Sequence, residues 1–135
     1  MADRLSFKKT FLALERTLNI VQQRHTHISS NISNLDTPNY RAKDIDFKGA
    51  LAKALESAHE IDLVRTNPGH IALGMNPTHS AETFEEKGEW TGFNWVNIDK
   101  EMTKLTENNL IYKTTIETLL RKIALLKEVI REGGR

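Results

Sequence analysis

Apolar residues recur at alternating steps of four and three at both ends of the chain. The first stripe runs Phe7, Phe11, Leu14, Leu18, Val21, His25, Ile28, Ile32, Leu35, and the second runs Ile98, Met102, Leu105, Asn109, Tyr112, Ile116, Leu119, Ile123, Leu126, Ile130. A repeat of 3.5 held over about four heptads is the spacing of a left-handed coiled-coil seam, narrower than the apolar face of a helix lying on a globular core. At 1.5 Å per residue the two seams span roughly 42 and 48 Å. Helices of such similar length can pair along their whole length, and a charge placed at Leu18 or Leu119 should disrupt that pairing if the two face each other. The predicted fold is therefore all-α. It has long N- and C-terminal heptad helices (1–35 and 98–135) pairing as a coiled coil, and a mostly irregular, flexible middle segment (36–97) carrying a short helix. His25 and Asn109 are the polar residues of the two stripes, and a polar seam residue can fix register. The apolar positions outside the seams, Leu5, Leu12, Ile20, Ile111, Leu120, Leu125 and Val129, call for self-assembly or a partner bundle unless they are scattered surface residues.

The middle segment holds all three prolines (Pro38, Pro68, Pro77) and five of the seven glycines. Phe47, Leu51 and Leu55 with Ala50, Ala54 and Ala58 offer three turns of amphipathic helix, with Asp44 or Asp46 as N-cap. The stretch TNPGHIALGMNPTHS is dense in turn residues, and EEKGEWTGFNW hints at a short extended piece.

Composition narrows the class without naming a chemistry. The chain of 135 residues has a net charge of +1, distributed too evenly to argue for nucleic acid. No apolar run approaches the roughly 18 residues of a spanning helix, so no direct membrane insertion is expected, and the charged start argues against a cleaved signal peptide. Zero cysteines exclude disulfides and thiolate chemistry. His25 and His27 point to different helix faces, and His59, His70 and His79 have no close carboxylate partner, so solvated histidines are expected rather than a metal site. KDIDFKG lacks the ligand spacing of a calcium loop. With no phosphate loop, catalytic triad or carboxylate pair, the sequence predicts no enzyme and no cofactor. The alternatives kept open are a cytoplasmic helical adaptor or chaperone dimerising through the heptads, and a small helical enzyme or metal-binding bundle.

The first helix ends in a polar way. Asn31 and Asn34 lie three apart on one face, and their carboxamides can hold backbone groups of the exiting loop or of a neighbouring chain. Thr37 precedes Pro38 and is pushed out of the helical region. Asn39 follows where a left-handed residue is often needed, and Tyr40 can fold back with its polar tip. The asparagines are read as ties between subunits, whose loss costs assembly more than folding.

The run from Ser30 to Ala42, SNISNLDTPNYRA, resembles the flagellar basal-body rod and hook proteins, in which S/A-N-hydrophobic-A/S-N-x-x-T-P-G-Y-K/R-A closes the N-terminal helix. Asn39 stands where that family usually has glycine. Lys43-Asp44-Ile45-Asp46-Phe47, Thr66-Asn67-Pro68-Gly69-His70-Ile71, Asn97 to Met102 and Asn108 to Tyr112 are similar to the proximal rod type. The length also suits that type, because distal rod and hook proteins carry large inserted domains. The resemblance implies a structural subunit of the rod in the periplasmic space, exported through the flagellum's own channel. Its implied partners are itself and other rod proteins, the rod-to-ring adaptor protein, the inner-membrane ring and the export gate. The residues the resemblance and the seams single out for interaction are Asn31, Asn34, Thr37, Pro38, Asn39, Tyr40, Arg41, Leu18, Ile28, Ile32, Asn109, Tyr112, Ile116 and Leu119.

Overall fold

The structure is a computed structural model that describes residues 2–56 and 81–133. Ala58, His59, His70, His79, the prolines at 68 and 77 and the stretch 66–80 lie outside the described residues, as does the side chain of Leu5. Two long helices dominate: α1 (Ala2–Ser33) and α3 (Ile98–Gly133), with the short α2 (Phe47–Glu56) between them. The all-α class and the placement of all three helices agree with the apolar periodicity.

α1 and α3 run antiparallel. The Asn31 carboxamide meets Glu101 at one end, that of Asn108 donates to the Val21 carbonyl, and the Lys122 ammonium lies 5.6 Å from the centroid of the Phe7 ring at the other end. That register sets Leu18 level with Ile111, and Leu119 level with Thr10 and Phe11. Leu18 and Leu119 are therefore not level with each other, so the condition under which they would pair across the seam is not met.

Helix ends follow from local chemistry. Asn97 caps α3, its Oδ1 accepting from the amides of Asp99 at 3.0 Å and Lys100 at 3.1 Å, and Asp99 and Glu101 place negative charge in the first turn where the helix dipole favours it. Asp46 caps α2, accepting from Gly49 N–H at 3.2 Å. Asp44, the other cap candidate, is used elsewhere.

The pattern did not announce the strands. β1 (Lys43–Ile45) pairs antiparallel with β2 (Thr83–Glu85), Asp44 opposite Phe84, and Arg41 bridges to Trp95. At three residues each they are shorter than the alternating runs that reveal strands. The extended piece expected at 85–95 begins within β2 and includes the bridge at Trp95.

The buried face of α3 differs from the predicted stripe. Glu101, Lys104, Asn108 and Thr115 are buried, each beside a stripe position, whereas Met102 and Tyr112 are each 49% exposed and Asn109 is exposed. Leu105, Ile116, Leu119 and Ile123 are half-buried. α1 thus docks on the flank of the stripe. The physical reason lies in the strands: their Asp44 and the adjoining Glu86 both pair with Lys104, which draws a polar flank of α3 inward. On α1, Val21 and Ile28 are buried as the seam predicts, but so is Ile20, and His25 is exposed. Asn108, rather than its stripe neighbour Asn109 or His25, is a polar residue turned to the other helix.

Candidate functional site

The segment leaving α1 folds back onto both long helices, and Asn31 is the point where they meet. Asn31 is wholly buried. Its Nδ2 donates to the Lys43 carbonyl and to Glu101 Oε2, both at 2.8 Å, while Oδ1 accepts from Lys43 N–H at 2.9 Å and from the Tyr40 hydroxyl at 3.3 Å. Both donors and both acceptor sites of the carboxamide are occupied within the chain. Of the two partners the sequence left open for the Asn31 carboxamide, the exiting loop is the one it meets here, where β1 and α3 close on α1. Asn34 is also turned inward, donating to the Ser30 carbonyl at 2.8 Å and accepting from Thr37 Oγ1 at 3.1 Å.

The turn is built as its residue types demand. Thr37 and Pro38 are exposed, and Asn39 adopts φ 59°, the left-handed conformation that asparagine tolerates best among non-glycine residues. Its N–H donates to the Phe93 carbonyl, and Trp95 N–H to the Tyr40 carbonyl, each at 3.0 Å. The Tyr40 hydroxyl also lies 3.3 Å from Ser30 Oγ. Arg41 stacks its guanidinium 4.7 Å above the centroid of the Trp95 ring, a cation–π contact. The Asn94 side chain donates to the Leu35 carbonyl, closing the end of α1 onto the entry to α3.

Beside Asn31 sits a buried ionic cluster. Glu101, 1% exposed, pairs with Lys104 at 2.7 Å. Lys104 also reaches Glu86 at 2.5 Å and Asp44 at 3.4 Å. Arg24 donates to both carboxylate oxygens of Asp44, at 3.0 and 3.3 Å, and Lys100 contacts Glu86 from the rim at 2.9 Å. Burial would push the Asp44 carboxyl up, but the Arg24 hydrogen bond, the Ile45 N–H and the charges of Arg24 and Lys104 together hold it below 3.8. Burial likewise opposes the Lys104 charge, yet its bonds to Glu101 and Glu86 and the nearby Asp44 carboxylate hold its pKa above 10.5. Each group is thus kept ionised by its partners. The cluster links α1, β1, the end of β2 and α3, so its chemistry is that of a clamp.

The sequence-predicted residues divide in two. Asn31 joins the clamp through Glu101 and Tyr40 joins Asn31, Asn34, Asn39 and Arg41 hold the turn beside it, and Ile28 is buried and Ile32 half-buried. Leu18, Ile116 and Leu119 lie half-buried along the helix pair, and Asn109 and Tyr112 face outward. Arg24, Glu86, Asn94 and Lys104 were not singled out, and Asp44, Glu101 and Asn108 entered only as an N-cap candidate or as members of the resembling motifs. The i, i+3 spacing of Glu101 and Lys104 was a visible signal, but their other partners are distant in sequence. Among the described residues no group of three His, Cys, Asp or Glu is placed to hold a metal, and His27 Nε2 is 3.1 Å from Thr83 Oγ1. No described helix is long and apolar enough to cross a membrane.

Fold and site together define an elongated helix-pair protein whose polar residues hold its own chain in shape. No protein-family model matches the sequence. The flagellar basal body rod protein FlgB of Bacillus subtilis (strain 168) is 30% identical over 130 residues, covering 94% of this chain and 97% of the relative. The FlgB of Yersinia enterocolitica is 33% identical over 126 residues (88% and 91%), and that of Escherichia coli K12 is 29% identical over 141 residues (99% and 100%). The chain belongs to the flagellar basal body rod protein FlgB family.

Proposed function

We propose that the protein is a structural subunit of the proximal rod of the bacterial flagellum, polymerising through its paired terminal helices into the motor's drive shaft. The observation that carries this reading is the match to rod proteins over nearly the whole of both chains. Exposed apolar residues along α3, Leu110, Tyr112, Leu120 and Val129, support it, since such positions suit contact with neighbouring subunits. In this reading Met102, Asn109 and Tyr112 face adjacent chains, and the clamp fixes the shape in which they are presented. Partners are further copies and other rod proteins, with the rod-to-ring adaptor, the inner-membrane ring and the export gate at the base. The subunit acts in the rod within the periplasmic space and does no catalysis.

The test is genetic and biochemical. Deleting the gene should abolish swimming, and a tagged copy that restores it should co-purify with isolated basal bodies. Cells that swim without the gene, with the protein confined to the cytoplasm, would overturn this reading and favour a cytoplasmic helical adaptor.

A further inference from the structure

α3 carries two neighbouring faces that could meet α1, and the docked one is polar: its buried residues are Glu101, Lys104, Asn108 and Thr115. The heptad stripe beside it is more apolar but stays outside, with Ile98, Met102, Tyr112 and Ile130 exposed and Leu105, Ile116 and Ile123 only half-buried. Burying polar side chains ahead of apolar ones is unfavourable unless specific bonds hold them there. The ionic bonds that do so gather at the clamp end, where Glu101 and Lys104 are tied to Asn31, Asp44 and Glu86. Further along, the Thr115 hydroxyl turns back to the Ile111 carbonyl of its own helix at 2.7 Å. Asn108, 1% exposed, donates to the Val21 carbonyl at 3.0 Å, but among the described residues its Oδ1 accepts no hydrogen bond. A buried acceptor without a donor is a cost that this docking carries.

We infer that α3 is a two-position helix: the clamp holds its polar flank on α1, and opening the clamp lets α3 turn about its axis by up to one residue, roughly 100°, to seat the heptad stripe on α1 instead. The turn carries Glu101, Lys104 and Asn108 to solvent, which hydrates the orphaned oxygen, and brings Asn109 to the place that Asn108 leaves. Leu105, Tyr112, Ile116 and Ile123 then meet the stripe of α1, whose matching 3.5-residue repeat accepts them along its length. Arg24 and Asp44 need take no part, because their pair joins α1 to β1 and not to α3. The two positions expose different surfaces. A closed clamp offers the stripe to another molecule, and an open one folds it against the chain's own α1. The device belongs to the isolated chain and stands whether or not the protein builds a rod.

The chain has no native cysteine, so a single introduced thiol reports on one position. Asn109→Cys lies on the stripe and Thr115→Cys on the flank. Each is made in the full-length chain with the clamp intact, and again with the clamp opened by Asn31→Ala and Lys104→Ala together, which leaves the Arg24–Asp44 pair in place. With the clamp intact, a maleimide should modify the thiol at 109 quickly and that at 115 slowly, since Asn109 is exposed and Thr115 only 7% exposed. With the clamp open the order should reverse. Adding Asn108→Leu to the open-clamp chain replaces the orphaned oxygen with an apolar group on the flank and should restore the first order. Fast modification at both positions in the open-clamp chain, as in a loosened or unfolded pair, would overturn the inference. So would an unchanged order, or a reversal that Asn108→Leu leaves untouched. Slow modification at both positions would assign the stripe's cover to a second molecule and overturn it as well.

Discussion

Removing the Asn31 carboxamide strips four hydrogen bonds at once and leaves the part-buried backbone of Lys43 and the buried Glu101 carboxylate short of partners. Each unsatisfied buried group costs about 1–3 kcal/mol, so Asn31→Ala should destabilise the monomer by about 3 kcal/mol in urea unfolding. Asn34→Ala loses a bond to Ser30 and one to Thr37 at a partly exposed site and should cost no more than about 1 kcal/mol. Equal, small losses for both would return the pair to an ordinary polar helix stop. Asn39 gives a second test. With φ at 59°, Asn39→Gly should be neutral or slightly stabilising, while Asn39→Val should cost about 1–2 kcal/mol. The left-handed need at Asn39 was legible in the sequence because it is a local demand of the Thr37-Pro38 turn. The role of Asn31 was not. Its partner Glu101 lies 70 positions away, and a carboxamide on a helix face gives no sign of whether it turns inward or toward another chain.

Between elements, the clamp fixes how far α3 is rotated against α1. Heptad spacing revealed both long helices and their similar lengths, since periodicity belongs to each helix alone. It could not reveal the rotation, which is decided by where Asp44 and Glu86 meet Lys104, nor could it reveal two strands of three residues. Lys104→Met should be costly, at about 3–5 kcal/mol, because it leaves Asp44, Glu86 and Glu101 as neighbouring buried carboxylates without their shared cation. The cluster also predicts a pH profile. The lowered pKa of Asp44 means its contribution is complete above 3.8 and is lost as pH falls through its value in the folded protein. The raised pKa of Lys104 means its contribution is complete below 10.5 and is lost as pH rises through its folded value. Neither group should tilt stability across the neutral range. Chemical denaturation should therefore show the gap between the protein and Asp44→Asn constant near neutrality and narrowing below pH 3.8. A gap that narrows already at pH values near those of histidine titration, about 6.5, would remove Asp44 as the origin.

At the scale of the molecule, a slender helix pair leaves large apolar residues of α3 exposed, so under the proposed rod function folding and assembly should be separable by mutation. Leu125, Val129 and Ile130 are 58%, 66% and 66% exposed in the single chain. Changing all three to glutamine removes little buried area, and surface changes of this kind usually stay within about 0.5 kcal/mol per site. Glutamine also exceeds valine and isoleucine in helix propensity by a few tenths of a kcal/mol. The triple variant should therefore match the parent in circular dichroism and in denaturation midpoint. In an assembly the same changes replace apolar contact with polar groups at every subunit, and each apolar side chain withheld from burial forfeits about 1.5–3 kcal/mol. Swimming in soft agar should be lost although the monomer is intact. Ile28→Gln provides the contrast, since Ile28 is wholly buried and a polar group there should unfold the monomer and abolish motility together. Full motility of the triple variant at normal protein level would show that the exposed end of α3 takes no part in assembly, and would leave its apolar residues as ordinary surface.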